Sequence, residues 1–382
     1  MGYLFFVYLL LIIFISRFIF RDKNGLILFI YILGLAIVMG LNTSNADFDM
    51  YERQYYSSVY FENAWFDYVE AIKSGYSKDS GFAFLNSIFA LNGIGYVLFH
   101  FIMCGIGLGT IWYVSAKKVK SISFIFLLYI MYPLFMDIIQ VRNFMVEICL
   151  LFGIHLLSTN RKYKVAIYIG LLLVAGTFHS MGFVYVLFIP FYYILKSRRA
   201  WVTNIFIGLG LLVPLLFGKI KSSLFDIAAI LMGNDVTAHY VLYVESNDMK
   251  YGYLAVYGYI VVMLLILQYM NNIIQKSTNI TFSQKRFSDI VYSLYLFCCC
   301  LLPISVVAID ALRWPRNLMI ASYILLFIYI EHNFVWNLKR IAVVIMLIVV
   351  SAIFSYWNLY QRDFINIYMI LDNNVFFDLF NF

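Results

Sequence analysis

Apolar stretches long enough to cross a bilayer recur along almost the whole chain, and nothing else in the sequence constrains the fold so strongly. Lipid offers backbone groups no hydrogen-bond partner, so such stretches must satisfy their own peptide groups, which points to helices. Of the 382 residues, 64% are hydrophobic and only 12% charged; a soluble domain carries roughly twice that charged fraction. The chain therefore reads as an all-α integral membrane protein, a single polytopic domain over residues 1–382. About twelve spans fit, at 3–16, 25–41, 94–116, 121–136, 141–158, 164–178, 181–195, 201–218, 251–270, 289–308, 316–332 and 341–357. Segment 82–92, FAFLNSIFALN, is too short to span and reads as a helix at the interface or re-entering it.

The net charge of +7 matters less than where it lies. Alternate loops hold Arg17/Arg21/Lys23, Lys117/Lys118/Lys120, Arg161/Lys162/Lys164, Lys196/Arg198/Arg199, Lys276/Lys285/Arg286 and Lys339/Arg340. That side is expected to be the cytoplasm, which leaves both termini and the tail 358–382 outside. The apolar run Tyr3–Ser16 precedes its basic residues, the reverse of a signal peptide, and predicts a retained first span. This distribution is not a nucleic-acid signal. The five cysteines, Cys104, Cys149 and Cys298–Cys300, sit in apolar runs without metal-like spacing and read as core residues.

On the outer side the chain is polar in an unusual way. Loop 42–81 is long and acidic, with Asp47, Asp49, Glu52, Glu62, Asp67, Glu70 and Asp79. Loop 219–250 is also long, and the two loops are candidate substrate-binding or lid elements. Three short outer turns carry polar residues at membrane depth, where charge is costly and points to function. The first is DIIQVRNFMVE, residues 137–147. Pro133 can kink the span before it. Asp137 and Arg142 then sit at a tight hairpin, and Gln140, Asn143 and Glu147 share one helical face. Arg142 is either a packing partner of Asp137 or Glu147, or the floor of a site for an anionic ligand. The second turn, AIDALRWPRN, spaces Asp310, Arg313 and Arg316 by three. Pro315 can open the following helix, which would put Arg316 and Asn317 in its first turn, and paired guanidiniums there suit a diphosphate. The third, GTFHSMG, holds His179, whose unperturbed pKa suits proton transfer or a phosphate contact.

The acidic loop opens with NADFDMYERQYY. Asp47 and Asp49 share a side if this segment is extended, and Tyr51, Tyr55, Tyr56 and Tyr60 follow. Carboxylates with aromatic faces suit sugars, unless the tyrosines form an interfacial belt. Either carboxylate could deprotonate an acceptor hydroxyl. Asp47-Phe48-Asp49 is a DxD by letter alone, and no metal or other cofactor is expected.

With these residues in place, the chain resembles the EpsG-type family of bacterial polysaccharide polymerases, within the broader group of Wzy-like O-antigen and capsule polymerases. The landmarks are D-F-D-x-Y at Asp47–Tyr51, the Arg hairpin at Gln140–Asn143, the His179 turn before FVYVLFIPFYY, and the Arg-rich turn Arg313–Arg316. They span roughly residues 40–330, and Val146 departs from them where a small residue is expected. The resemblance implies a GT-C-like fold and a glycosyltransferase in the bacterial cytoplasmic membrane, with its active site facing outward. It implies oligosaccharide repeat units on undecaprenyl diphosphate as substrate, membrane lipid as surroundings, and a chain-length regulator and flippase of the same pathway as partners. In that setting Asp47, Asp49 or His179 would be the base. Arg142, Arg313 and Arg316 would hold the diphosphate, with Gln140, Asn143, Asp137, Asp310 and Tyr51 as further substrate-binding residues. An O-antigen ligase, a lipid-linked oligosaccharide flippase and a membrane acyltransferase built on Glu331 and His332 are the rival readings.

Overall fold

Where a chain is this apolar, a helix leaves no peptide group exposed to lipid, and the described residues are almost all helical. The computed structural model describes residues 2–19, 22, 25–57, 79–195, 201, 204–205, 208, 252–301, 313–333, 337–360 and 366–378. The helices are α1 (Gly2–Phe18), α2 (Gly25–Gly40), α3 (Phe48–Ser57), α4 (Ser80–Leu91), α5 (Tyr96–Lys118), α6 (Ile122–Met131), α7 (Leu134–Ile139), α8 (Val141–Leu157) and α9 (Lys164–Phe178). After these come α10 (Met181–Val184), a 3-10 turn at Tyr185–Leu187, α11 (Phe188–Leu195), α12 (Gly252–Lys276), α13 (Phe282–Cys300) and α14 (Arg313–Arg316). The chain then continues through α15 (Met319–Asn333), α16 (Leu338–Tyr360), α17 (Ile367–Asp372) and α18 (Val375–Asp378). Among the described residues the one β contact is an isolated antiparallel bridge, Asn42 to Asn374.

Among the described residues three stretches are long and apolar enough to cross a membrane by themselves: Tyr96–Lys118, Gly258–Lys276 and Leu338–Tyr356. The other expected spans appear as shorter helices or as broken ones. The run 121–136 divides into α6 and α7 around a cis Tyr132–Pro133 bond. The run 181–195 divides into α10, the 3-10 turn and α11. Most of the expected span 201–218 and all of loop 219–250 lie outside the described residues. The five cysteines are free thiols, buried or half-buried.

The helices meet around one apolar core in which α8 packs against both α5 and α9, and α2 against α5. Two ends of this bundle are polar. At one end the described basic residues gather, whereas Arg21, Lys23 and the loop with Lys196, Arg198 and Arg199 lie outside the described residues. Asp22 accepts from the Ser123 amide and pairs with Arg17. Lys118 Nζ donates to Ser158 Oγ and Ser283 Oγ, both at 2.6 Å. Glu331 accepts from the amides of Lys120 and Ser121, closing the start of α6, and Gln284 contacts His332 at 3.1 Å. At the other end Thr43 N donates to Asn373 O and Val375 N to Leu41 O, which ties α17 and α18 to the end of α2. Gly2 stands so close to Leu371 O that a Cβ could not be placed there, so the start of α1 lies at this end as well.

Broken helices inside a core leave peptide groups that water cannot reach, and tyrosines supply the missing bonds. Tyr323 Oη donates to Tyr132 O at the α6–α7 break, at 2.8 Å. Tyr185 Oη donates to Trp314 O and Tyr295 Oη to Pro315 O, in the short turn α14. All three tyrosines are fully buried. Two of these bonds hold the turn that carries Arg313 and Arg316, and the third holds the α6–α7 break that precedes the Arg142 hairpin.

Candidate functional site

The segment 47–57 forms a helix, not the extended strand that would align Asp47 with Asp49. Phe48, Tyr51 and Tyr55 recur at helical spacing and are buried, which gives α3 one apolar face. That face lies on Phe82 of α4 and on Tyr96, Phe99, Met103, Val141 and Met145. Asp47 immediately precedes the helix and is half-buried, whereas Asp49, in the first turn, is exposed. Tyr55 is fully buried and donates to Ile94 O at 2.5 Å. Tyr51 and Tyr55 thus pack α3 down and present no free ring face to a sugar, contrary to expectation. Tyr56 is exposed, and Tyr60 lies outside the described residues.

The hairpin also differs from its expected pairing. A break at Gln140 separates α7 from α8, and Arg142 points toward the acidic segment. Its Nη1 pairs with the Asp79 carboxylate, and its Nε donates to Tyr51 Oη at 3.2 Å. The guanidinium also lies over the Tyr51 ring, 4.8 Å from the centroid. Neither Asp137 nor Glu147 is its partner. Successive residues of a helix are rotated by about 100°, so Asn143 faces elsewhere. Gln140, Asn143 and Glu147 do share a face, as their spacing predicts, and it turns to the Arg-rich turn. Gln140 Oε1 accepts from Arg316 Nη2 at 2.6 Å, and Asn143 and Asn317 exchange side-chain bonds at 2.8 and 3.2 Å. Val146, fully buried, fits beneath this face without a small residue.

Arg313 and Arg316 belong to one described turn, and the long helix α15 starts only at Met319. Pro315 is therefore inside α14 and does not open α15, so among the described residues the arginines do not stand in the first turn of that helix. Arg313 Nη1 contacts His179 Nε2 at 2.9 Å. An Arg can only donate, so His179 Nε2 is the acceptor and the ring is neutral with its proton on Nδ1. The Met181 amide approaches Nδ1 at 3.3 Å, a weaker contact that this tautomer leaves unbonded. Gly182 makes the turn possible: a Cβ there would meet the backbone of Ala175 and Gly176. Arg316 is buried, with Asp137 and Glu147 near it, both fully buried. No hydrogen bond of ordinary geometry reaches either carboxylate or Arg316 Nε. Asp310 lies outside the described residues.

Five segments far apart in sequence thus contribute to one cluster: Asp47 and Tyr51, Asp79, Gln140–Asn143, His179, and Arg313–Asn317. The electrostatics follow. Burial pushes the Asp47 carboxyl up, against the opposing pull of Arg142 and Arg313. Burial likewise raises the Tyr51 hydroxyl, which Arg142 partly offsets. His179 is pushed down to about 3 by burial first and then by Arg313, Arg142 and Arg316. Among the expected bases, Asp49 is exposed and His179 is engaged by Arg313, so Asp47 is the carboxylate that feels the charge of both Arg142 and Arg313. Glu331 and His332, the acyltransferase pair, stand at the opposite end and close a helix. Sequence reasoning missed Asp79. Its only signal was its place before an apolar helical run, which reads as a helix cap, whereas its side chain caps nothing.

A family model described as the EpsG family matches residues 25–371, nearly the whole chain. No curated protein and no solved structure matches it.

Proposed function

We propose, from the premise that this chain belongs to the EpsG family and so has a polysaccharide-polymerase-type function, that it joins oligosaccharide repeat units carried on undecaprenyl diphosphate at the outer face of the bacterial cytoplasmic membrane. The observation that carries this reading is the convergence of Arg142, Arg313 and Arg316 with Asp47 from separate segments. The arginines supply positive charge for a diphosphate, and Asp47 supplies a carboxylate beside it. The opposite end gathers the described basic residues, which orients the cluster to the outside by the positive-inside rule.

The growing chain is the donor, attached through its anomeric carbon to the lipid diphosphate. Asp47 takes the proton from a hydroxyl of the acceptor unit as that oxygen bonds to the anomeric carbon. The bond from that carbon to the diphosphate oxygen breaks, and lipid diphosphate leaves with the electron pair. Arg142 and Arg313 stabilise the charge that develops on it. Attack opposite the leaving group inverts the anomeric centre. No metal is needed for this charge balance, since guanidiniums grip phosphate bidentately. Arg316, buried against Gln140, holds the hairpin behind Arg142. His179 orients Arg313, so its part is positioning. The described parts of region 42–81, residues 42–57 and 79–81, bring Asp47, Tyr51 and Asp79 to this cluster, and the region serves as a substrate-binding element.

The test is the surface glycan of a strain lacking this gene, read beside its lipid-linked glycan pool. A single repeat unit in place of a ladder is expected. A lipid-linked ladder that never reaches its final acceptor would make the protein a ligase instead. Absence of any externally exposed unit would make it a flippase.

A further inference from the structure

Asp79 occupies a telling position. It precedes α4, where an Asp ordinarily accepts from the first free amides of the helix. Its side chain makes no such bond. It reaches instead to Arg142 Nη1, on the guanidinium that also bonds Tyr51 Oη through Nε and lies over that ring. The pair is only partly shielded, with side chains 20% and 13% exposed for Arg142 and Asp79. The Asp79 carboxylate oxygen takes the place on Arg142 Nη1 that a phosphate oxygen would take. Arg142 is also held from the ring side by Tyr51, so its pose does not depend on Asp79 alone.

We propose that Asp79 is a placeholder for the phosphate of the anionic ligand: it holds the Arg142 guanidinium in its pose, and yields it when a diphosphate arrives. The inference rests on the reading of this cluster as a diphosphate site and adds a selection rule to it. With Asp47 and Asp79 both near Arg142, a neutral glycan gains nothing by displacing a carboxylate. A monophosphate brings little more charge than the group it replaces. A diphosphate brings enough to win the exchange, so Asp79 makes the site prefer the activated, diphosphate-linked chain over glycans and lipids that lack it.

The experiment is calorimetric binding of farnesyl diphosphate and farnesyl monophosphate to the full chain in detergent, for wild type and three variants. Asp79→Ser removes the competing charge and supplies α4 with a good N-cap, so it is expected to fold. It should bind both probes more tightly, by about tenfold, the effect of one lost competing contact. The monophosphate should gain more, so that discrimination between the two probes narrows. Asp79→Glu keeps the charge and should retain the wild-type preference for diphosphate. Arg142→Ala should lose binding of both probes. Binding in wild type that Arg142→Ala abolishes but Asp79→Ser leaves equal or weaker overturns the placeholder role alone, since Asp79 would then only brace α4. No binding of the diphosphate to wild type or to Asp79→Ser overturns the diphosphate reading itself.

Discussion

The two polar ends of this bundle handle polar side chains differently. At the basic end they close helices. Glu331 caps α6, Thr281 and Gln284 form a capping box at the start of α13, and Lys118 bridges serines of neighbouring elements. The Glu331 and Thr281–Gln284 bonds satisfy amides that any helix leaves open. At the other end α4, α7 and α8 begin with no side-chain cap at all. There the polar groups bind each other across long sequence separations, as in Arg142–Asp79, Arg313–His179, Arg316–Gln140 and Asn143–Asn317. Side chains that finish no helix and instead bond one another across the bundle are the ones available to a ligand.

The sharpest way to break this contrast is to substitute the arginine at its centre. Arg142→Ala should reduce polymerisation by on the order of 10²-fold or more, the effect of removing one preorganised charge from a developing anion. Arg142→Lys should also be poor, since an ammonium cannot make the two-pronged grip. Both are read as loss of the glycan ladder at equal membrane levels of protein, and full activity of the Lys variant would sink the grip. A similar loss, about 10²-fold, is expected for Asp47→Asn. Asp49→Asn should keep the ladder, because its side chain points outward from α3. Equal losses for the two would return the choice of base to where the sequence left it.

Arg316 tests the buried side of the same hairpin. Replacing it with Met leaves Asp137 and Glu147 without a counter-charge and should cost about 3 kcal/mol of stability, seen as a lower thermal midpoint and reduced protein in the membrane. At the basic end, Glu331→Gln should cost only about 1 kcal/mol, the value of a helix cap. Its glycan ladder should be unchanged; a loss of polymer there would mean that the two ends are not separate in function.

Much of this contrast was legible in the chain. Spacing alone put Gln140, Asn143 and Glu147 on one face, and they do meet a common partner, the Arg316–Asn317 turn. The helical register of Phe48, Tyr51 and Tyr55 was also present, but the neighbouring aspartates suggested a strand. What spacing cannot carry is which segments meet. Arg142 has acidic residues five positions to either side, yet it pairs with Asp79 because α3 and α4 fold over the hairpin. The late start of α15 was hidden for a related reason. Pro315 is compatible with the first turn of a helix, and only the buried tyrosines Tyr185 and Tyr295, bonding the carbonyls of Trp314 and Pro315, hold that turn apart from α15.

The smallest expected effect concerns pH. His179 in the folded protein protonates only near about 3, while in the unfolded chain it does so near ~6.5. Below that unfolded value the unfolded state takes up a proton that the folded state does not. The ring therefore favours the fold fully above pH ~6.5, and this contribution is lost as pH falls from there toward about 3. His179→Gln retains an acceptor for Arg313 and removes the titration. Its thermal midpoint should fall less than that of wild type between neutral pH and pH ~5, while its activity at neutral pH stays close to wild type. If His179 were instead the base of the reaction, the Gln variant would lose the glycan ladder at every pH. A wild-type activity that rises with an apparent pKa near ~6.5, absent from the variant, would likewise show a ring free to titrate and not held by Arg313.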